Sequence, residues 1–519
     1  MRRWLVLVSG LLAATYLTDG HATPANKTVT RVVFDRKPGK TGGFTYAITD
    51  KATGKRMPAK LTFVGVAGTP SPRFSRGDVG RLEADGTGVA AINRVFSVDG
   101  TGVIPLPLGT YDVTISRGIE WTIATQRIAM TASGLELAAQ LEHVVDTPKW
   151  ASGDFHVHAE PSPDSSVPMH DRALEFVAEG VDLIVATDHN VVADYAPAIK
   201  QLGLGERLSS TPGDEISTGW GHFGAFPLPV VDRKVLPKIS GVKPQAIFDA
   251  FRALGPNAII NVHHPRLEKL TGYFELGKFN AKTGNARRKD FSYDFDAVEL
   301  LNGYEDTKLK LLDRNMTDWF ALLDRGVVAT ATGNSDSHHM TYNLGGYPRN
   351  YVLVPDDAPG KVTGADMAKG IKAHRAFFTT GPIVDVHATS SSGPSGPSGP
   401  SAGIGDLARA VDGKAKLEIL VRAAPWVSTS RVKLYLGGKL EKTWELAASD
   451  QVKRLETSYE LVLPRDTHAV VRVEGDRPLT PVIGGAGSTK IYPVAVTNPI
   501  LFDVDGNGRY DAPKQARTI

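Results

Sequence analysis

The chain has 519 residues, 41% of them hydrophobic and 22% charged, with a formal net charge of +3 and no cysteine. This length suits roughly three to four domains, and the apolar content excludes a disordered or fibrous chain. Near-neutral charge without a basic, aromatic-interleaved run argues against nucleic acid as a partner. The lack of cysteine excludes disulfides and thiolate chemistry, so any metal site must be built from His, Asp and Glu.

The N-terminus reads as a secretory signal. Arg2 and Arg3 precede a mostly apolar run from Trp4 to Leu17, and Gly20-His21-Ala22 supplies small residues for cleavage. Residues 1–22 are therefore expected to be removed. The apolar run is short for a transmembrane span, and no cysteine follows it for a lipid anchor. A periplasmic or extracellular protein without a stable membrane anchor is expected. Its composition favours neither a monomer nor a dimer.

Residues 27–147 show short β-branched runs, Thr28 to Phe34, Lys60 to Val64 and Tyr111 to Ile115, broken by Gly, Pro and Asp. They predict a β-sandwich of the immunoglobulin or carboxypeptidase-regulatory kind. Residues 148–388 alternate. Strands are predicted at Val181 to Ala186, Ala258 to Val262, Ala297 to Leu301 and Val327 to Ala331. Helices are predicted at Asp171 to Glu179, Pro244 to Leu254 and Thr307 to Arg325. Gly180, Gly255 and Gly326 follow them, where a left-handed cap is wanted. This alternation predicts a parallel sheet covered on both faces, with a barrel as its architecture. Residues 389–403 carry Gly-Pro-Ser repeats and read as a linker or exposed loop. Residues 404–519 read as a second β domain, with strands at Leu417 to Val421, Val432 to Leu436 and Ala469 to Val473.

Nine of the 14 histidines fall between His156 and His339. His156 and His158 sit at i and i+2, on one face of a strand, where two imidazoles can share one ion. Asp164 follows in a loop able to fold back over it. Asp188 and His189 end a predicted strand, the place where ligands gather in parallel α/β folds. Glu215 is a candidate bridge between ions, and His222 a further ligand or substrate contact. One of His263 and His264 is expected to face the site. Asp336 and His338 repeat the i, i+2 spacing, with His339 pointing away. Imidazole with carboxylate suits Zn, Mn or Fe. About eight candidate ligands exceed one tetrahedral shell, which implies two or three ions.

The order His-x-His, Thr-Asp-His, Glu, His-Pro, Asp-x-His resembles the polymerase-and-histidinol-phosphatase (PHP) family. The resemblance implies a distorted (β/α)7 TIM-like barrel with a di- or trinuclear site. It makes His156, His158, Asp164, His189, Glu215, His264, Asp336 and His338 the ligands. Where the family often has another His or Cys, this chain has Glu299 and Asn302, which are candidate substitutes; His263 is a further candidate. The preceding β-sandwich, with Gly109-Thr110-Tyr111 and Ser116 to Trp121, is similar to the exported carbaryl-hydrolase-like (CehA/McbA) branch.

The expected function is hydrolysis of a small-molecule ester by a metal-bound hydroxide. The resemblance allows a phosphoester or a carboxylic or carbamate ester. Asp188 is expected to orient a ligand or move a proton, and Arg266 and Arg349 to contact an anionic substrate. In the tail, Asp503, Asp505, Asn507 and Asp511 match the start of a calcium loop, but Lys514 stands at the twelfth position in place of Glu. A secreted binding protein with a structural metal site and no catalysis is the competing reading.

Overall fold

The computed structural model describes residues 40–75, 80–81, 88–267, 269–304, 308–340, 343–390, 401–483 and 490–514. The expected signal peptide, the expected strand Thr28 to Phe34 and most of the Gly-Pro-Ser run lie outside these residues. No helix among them is long and apolar enough to cross a membrane.

The strands of the first N-terminal sheet alternate in and out with the period of two that a half-buried sheet requires. Thr41–Asp50 does so along its length. It sits between Thr101–Pro107 and Leu135–Leu141 in a three-stranded sheet, with Thr45 opposite Val103. A six-stranded sheet carries Ala59–Val66 between Arg94–Ser97 and Gly109–Ser116. Phe44, Tyr46 and Ile48 of one sheet meet Leu61, Phe63, Val113 and Ile115 of the other in one apolar core.

The middle of the chain holds all six α-helices among the described residues: α1 (Met169–Ala178), α2 (Ala196–Gln201), α3 (Pro244–Leu254), α4 (Tyr273–Leu276), α5 (Lys310–Leu323) and α6 (Gly364–Lys372). Helix α3 has the bounds its sequence predicts, with Pro244 at its first turn and an apolar face of Ile247, Phe248 and Phe251. Gly180 and Gly326 adopt the left-handed conformation expected after α1 and α5. Gly255 does not. Its backbone is extended, and it is needed for room, since a Cβ there would stand 2.7 Å from Pro227 O.

The closed (β/α)7 barrel does not form. Two open sheets take its place. One runs Asp214–Thr218, Gly221–Phe226, Ile259–Val262, Ala297–Asn302, Thr330–Asn334. Its first two pairings are antiparallel; in the first, Gly219 and Trp220 leave no length for a crossover. The other sheet is eleven-stranded. In it Trp150–Val157 pairs Leu183–Ala186 in parallel on one edge and Arg349–Leu353 antiparallel on the other. That second pairing takes the edge on which Thr330–Asn334 would have closed a barrel. Its groups are satisfied by side-chain amides instead. Asn350 bonds Gly333 N and O at 2.9 and 2.8 Å, and Asn498 bonds Ala331 N and O at 2.7 and 2.9 Å. The eleven-stranded sheet continues through Ala376–Thr379 into Val494–Thr497 and Thr467–Glu474, so the C-terminal strands extend the central sheet. The two sheets touch through isolated bridges, Val157 with Ser337 and His189 with Glu215, and these bridges lie at the candidate site.

Candidate metal centre

The strand ends deliver the side chains. His156 lies in Trp150–Val157 and His158 just past it, while His189 follows Leu183–Ala186. Glu215 and His222 belong to the two strands of the hairpin Asp214–Phe226, opposite Gly224 and Ser217 respectively. His263 and His264 follow Ile259–Val262, and Asp336 and His338 follow Thr330–Asn334. Regular alternation would send His263 and His264 to opposite sides. A positive φ of 25° at His264 breaks the alternation, and both rings reach Glu215. Gly224 makes room for His263; a Cβ there would stand 2.3 Å from His263 Nε2.

Glu215 is the hub. Its Oε1 lies 3.1 Å from His156 Nε2, 3.1 Å from His222 Nδ1, and 3.2 Å from both His263 Nδ1 and His264 Nε2. Its Oε2 lies 3.3 Å from His158 Nε2 and 3.0 Å from His189 Nδ1. Asp336 Oδ1 lies 3.1 Å from His156 Nε2 and 3.3 Å from His158 Nε2. Asp164 Oδ2 reaches His189 Nε2 at 3.0 Å and His338 Nε2 at 3.2 Å. Asp164 is half exposed and marks the open side, while His156, His158, Glu215 and Asp336 are buried. Groups with ligand atoms in mutual reach include His158, Asp164, His189, His338, and also His156, His158, Asp336.

The atoms at the centre are unsatisfied. His156 Nε2, His158 Nε2 and Asp336 Oδ1 are buried and have no hydrogen bond in proper geometry, although both nitrogens lie within 3.3 Å of that oxygen. Each such group costs about 1–3 kcal/mol if left unpaired. A divalent cation satisfies all three, and nitrogen with carboxylate oxygen is the donor set that Zn, Mn or Fe takes. The residues fit a metal centre.

Charge follows the same geometry. Burial opposes charge on His156, but Asp336, Glu215 and Glu299 outweigh it and hold the ring well above the ordinary imidazole value. Burial likewise opposes charge on His189, yet Glu215 and Asp164 raise it to about 9. Burial and the neighbouring His338 push His158 down to about 3, and burial with His156 pushes His263 to about 4. Burial would raise Glu215, but His156, His189 and His222 hold its carboxyl well below the usual range.

Behind the ligands stand supporting residues, of which Glu299 and Asn302 are sequence candidates while Asn334, Ser162 and Ser217 carry no sequence signal. Glu299 Oε2 lies 2.9 Å from His156 Nδ1 and accepts Asn334 Nδ2 at 2.9 Å. Its Oε1 accepts Asn302 Nδ2 at 2.6 Å and His264 N at 3.1 Å. With Nδ1 donating to Glu299, His156 presents the Nε2 lone pair inward, the carboxylate–histidine arrangement of metal sites. Asn302 also donates to Asp336 Oδ2 at 3.1 Å. Glu299 and Asn302 thus brace the cluster from behind. Ser162 contacts His158 Nδ1 at 3.2 Å and Ser217 contacts His189 Nδ1 at 2.6 Å. Neither serine belongs to a recognisable motif.

Three expected residues stand elsewhere. Arg266 grips Asp318 at 2.7 and 3.1 Å and the carbonyl of Phe279 at 2.8 Å. Arg349 donates to Gly346 O and Glu179 O, both at 2.9 Å. Both arginines are buried and turned toward the fold. Asp188 accepts Ala159 N at 2.8 Å and Tyr195 OH at 2.9 Å, so it pins the backbone beside His158; burial pushes its carboxyl up to about 6. In the tail, Asp503 accepts Gly506 N and Gly508 N at 2.6 and 3.0 Å. Asn507 Nδ2 donates to Asp505 at 3.2 Å and Asp511 at 2.8 Å. These four residues close a turn on themselves.

No family model matches the chain, and no curated protein does. Among solved structures, PsfC from Pseudomonas syringae is 15% identical, with a TM-score of 0.28 over 41% of this chain and 86% of that one. The lesion-specific endonuclease PfuEndoQ from Pyrococcus furiosus is 16% identical, with a TM-score of 0.30 over 43% of this chain and 56% of that one. An FMN-binding β-glucuronidase is 10% identical, with a TM-score of 0.17 over 91% of this chain and 74% of that one. Scores this low establish no shared fold.

Proposed function

We propose that the chain is an exported, metal-dependent hydrolase of a small-molecule phosphoester or carboxylic or carbamate ester. In this reading it is related to the PHP family and, by its N-terminal β layers, to the carbaryl-hydrolase-like branch. The observation that carries it is the convergence of buried, unpartnered imidazole and carboxylate atoms on Glu215 and Asp336. A merely adhesive or structural site has no need of so many donors, because structural sites are closed around one ion.

Two or three Zn, Mn or Fe ions would be held by His156, His158, Asp164, His189, Glu215, His264, Asp336 and His338, with His222 and His263 as further donors. When bound, such ions acidify water near neutral pH and polarise an ester oxygen. The chain's own part is orientation. Glu299, braced by Asn334 and Asn302, fixes the His156 ring. Ser162 and Ser217 aim His158 and His189. The substrate enters past Asp164 and Tyr304, which stand exposed at the rim near His338. Arg266 and Arg349 are engaged elsewhere in the fold, so the charge to receive an anionic substrate would be supplied by ions held at His156, His158, Glu215 and Asp336.

The test is turnover of chromogenic phosphate monoesters, phosphate diesters, carboxylic esters and aryl carbamates by protein loaded with Mn, Zn or Fe. Turnover of one class, lost in Glu215→Gln, supports the reading and selects the chemistry. No turnover of any class with any of these metals sinks it.

A further inference from the structure

Helix α1 lies between the N-terminal layers and the cluster, and it carries buried charge toward both. It packs on strands Ala59–Val66 and Arg94–Ser97, where Val89, Ala91 and Phe96 share a core with Phe176 and Val177. Alternation along Ala59–Val66 sends Leu61 and Phe63 into the layers' own core and leaves Lys60 on the other face. Lys60 and Arg94 are 0% and 1% exposed. Lys60 Nζ stands 2.5 Å from Glu179 Oε1, an ion pair without hydrogen-bond alignment. Glu179 Oε2 accepts Tyr347 OH at 2.8 Å. The close approach depends on Gly118, at φ +76°, where a Cβ would stand 2.0 Å from Glu179 O.

One turn back along α1, Glu175 pairs with Arg172 and accepts Gly345 N at 2.8 Å. Arg172 then donates Nε to His158 O at 3.0 Å, Nη1 to Ser337 Oγ at 2.7 Å and Nη2 to Ser337 O at 3.1 Å. His158 is a candidate ligand, and Ser337 stands between two others, Asp336 and His338. The guanidinium therefore ties the two ligand segments together across the seam, beside the isolated Val157–Ser337 bridge. Burying lysine and arginine in an otherwise apolar contact is costly, and apolar residues of like volume would dock the layers as well. A planar fork that spans two carbonyls is something that neither lysine nor an apolar residue supplies.

We propose that this buried charge chain is a positioning device: the N-terminal layers, through Lys60, hold Glu179 at the end of α1 so that Arg172, paired with Glu175 one turn back, clamps His158 to Ser337 and sets the ligand spacing. The proposal rests on the metal-centre reading above. It makes the N-terminal layers part of the active-site support, and Arg172 a positioning residue.

The experiment uses the full chain in three forms: Arg172→Lys, Lys60→Met, and Lys60→Met combined with Glu179→Leu. Zn and Mn dissociation constants are measured by chelator competition. Amide hydrogen exchange over 155–160 and 335–346 is followed in metal-free protein, and circular dichroism reports the fold. Arg172→Lys is expected to keep the fold, weaken metal binding about 10- to 100-fold and speed exchange in both segments. The double variant, which removes both charges of the buried pair, is expected to regain stability over Lys60→Met while its metal binding stays weakened. Wild-type exchange and affinity in Arg172→Lys would overturn the proposal. So would a double variant whose affinity recovers together with its stability. A wild-type chain that binds neither metal sinks the metal-centre reading instead, and the metal-free exchange data still decide whether Arg172 clamps the segments.

Discussion

Two regions of this chain carry metal-like sequence patterns, and the structure treats them in opposite ways. Between His156 and His338, imidazole nitrogens and carboxylate oxygens converge from seven strands' ends and leave buried atoms without partners. In the tail, the side chains of Asp503, Asp505, Asn507 and Asp511 are taken up by the turn's own amides. Acidic and amide residues close together do not make a site. What marks one is buried donor atoms that the fold has not satisfied. Arg266 and Arg349 belong with the tail in this respect, because their donors are engaged by the surrounding fold.

The largest expected effect is at the hub. Glu215→Gln removes the charge that six imidazoles share, and turnover should fall by at least about a hundredfold as metal is lost. Metal analysis beside a rate assay checks it. Next comes Arg266→Ala, which strands the buried Asp318 carboxylate and should cost about 3–5 kcal/mol of stability. Denaturant unfolding measures this; if the variant is instead stable and merely slow toward substrate, Arg266 belongs with the cluster.

A smaller effect is predicted at His468, which burial pushes down to about 4. Its ring stacks on Phe320 and contacts Tyr510 OH at 3.2 Å. The folded state binds fewer protons here than the unfolded state between about pH 4 and 6.5. Stability from this group is therefore full above pH 6.5 and is lost as pH falls toward 4, by up to about 3 kcal/mol. His468→Phe should flatten the dependence of Tm on pH in that window. The smallest effect is at the tail: Asp505→Ala should change stability by about 0.5 kcal/mol or less, and millimolar calcium should move the wild-type Tm by no more than about 1 °C. A larger calcium shift, lost in the variant, would give the tail the role that the comparison denies it.

The sequence was readable where periodicity and punctuation agree. Helix α3 has its predicted bounds because Pro244 opens it and its apolar face repeats at helical spacing. The strand predicted at Val327 to Ala331 begins instead at Thr330, since Val327 and Val328 pack against the core from the connection. Closure into a barrel was not readable. It turned on which strand pairs the second edge of Trp150–Val157, and no local pattern in Arg349–Leu353 declares that it does. At the site, His and carboxylate residues announced themselves by clustering after apolar strands. Ser162, Ser217, Asn334 and Arg172 did not, because serine, asparagine and arginine are common and their roles arise only from contacts between distant segments. The pairing of Lys60 with Glu179 is hidden for the same reason: a lysine in a strand reads as solvent-facing until a helix covers it.

Unsatisfied atoms at His156, His158 and Asp336, gathered around the Glu215 carboxylate, exist to hold metal. The most direct measurement is metal stoichiometry by mass spectrometry on purified wild type and His156→Ala, with anomalous diffraction to locate the ions. Two or three transition-metal ions per wild-type chain, placed among these residues and depleted in the variant, are predicted. A wild-type chain that binds no transition metal after supplementation, or binds it away from Glu215, would contradict the account.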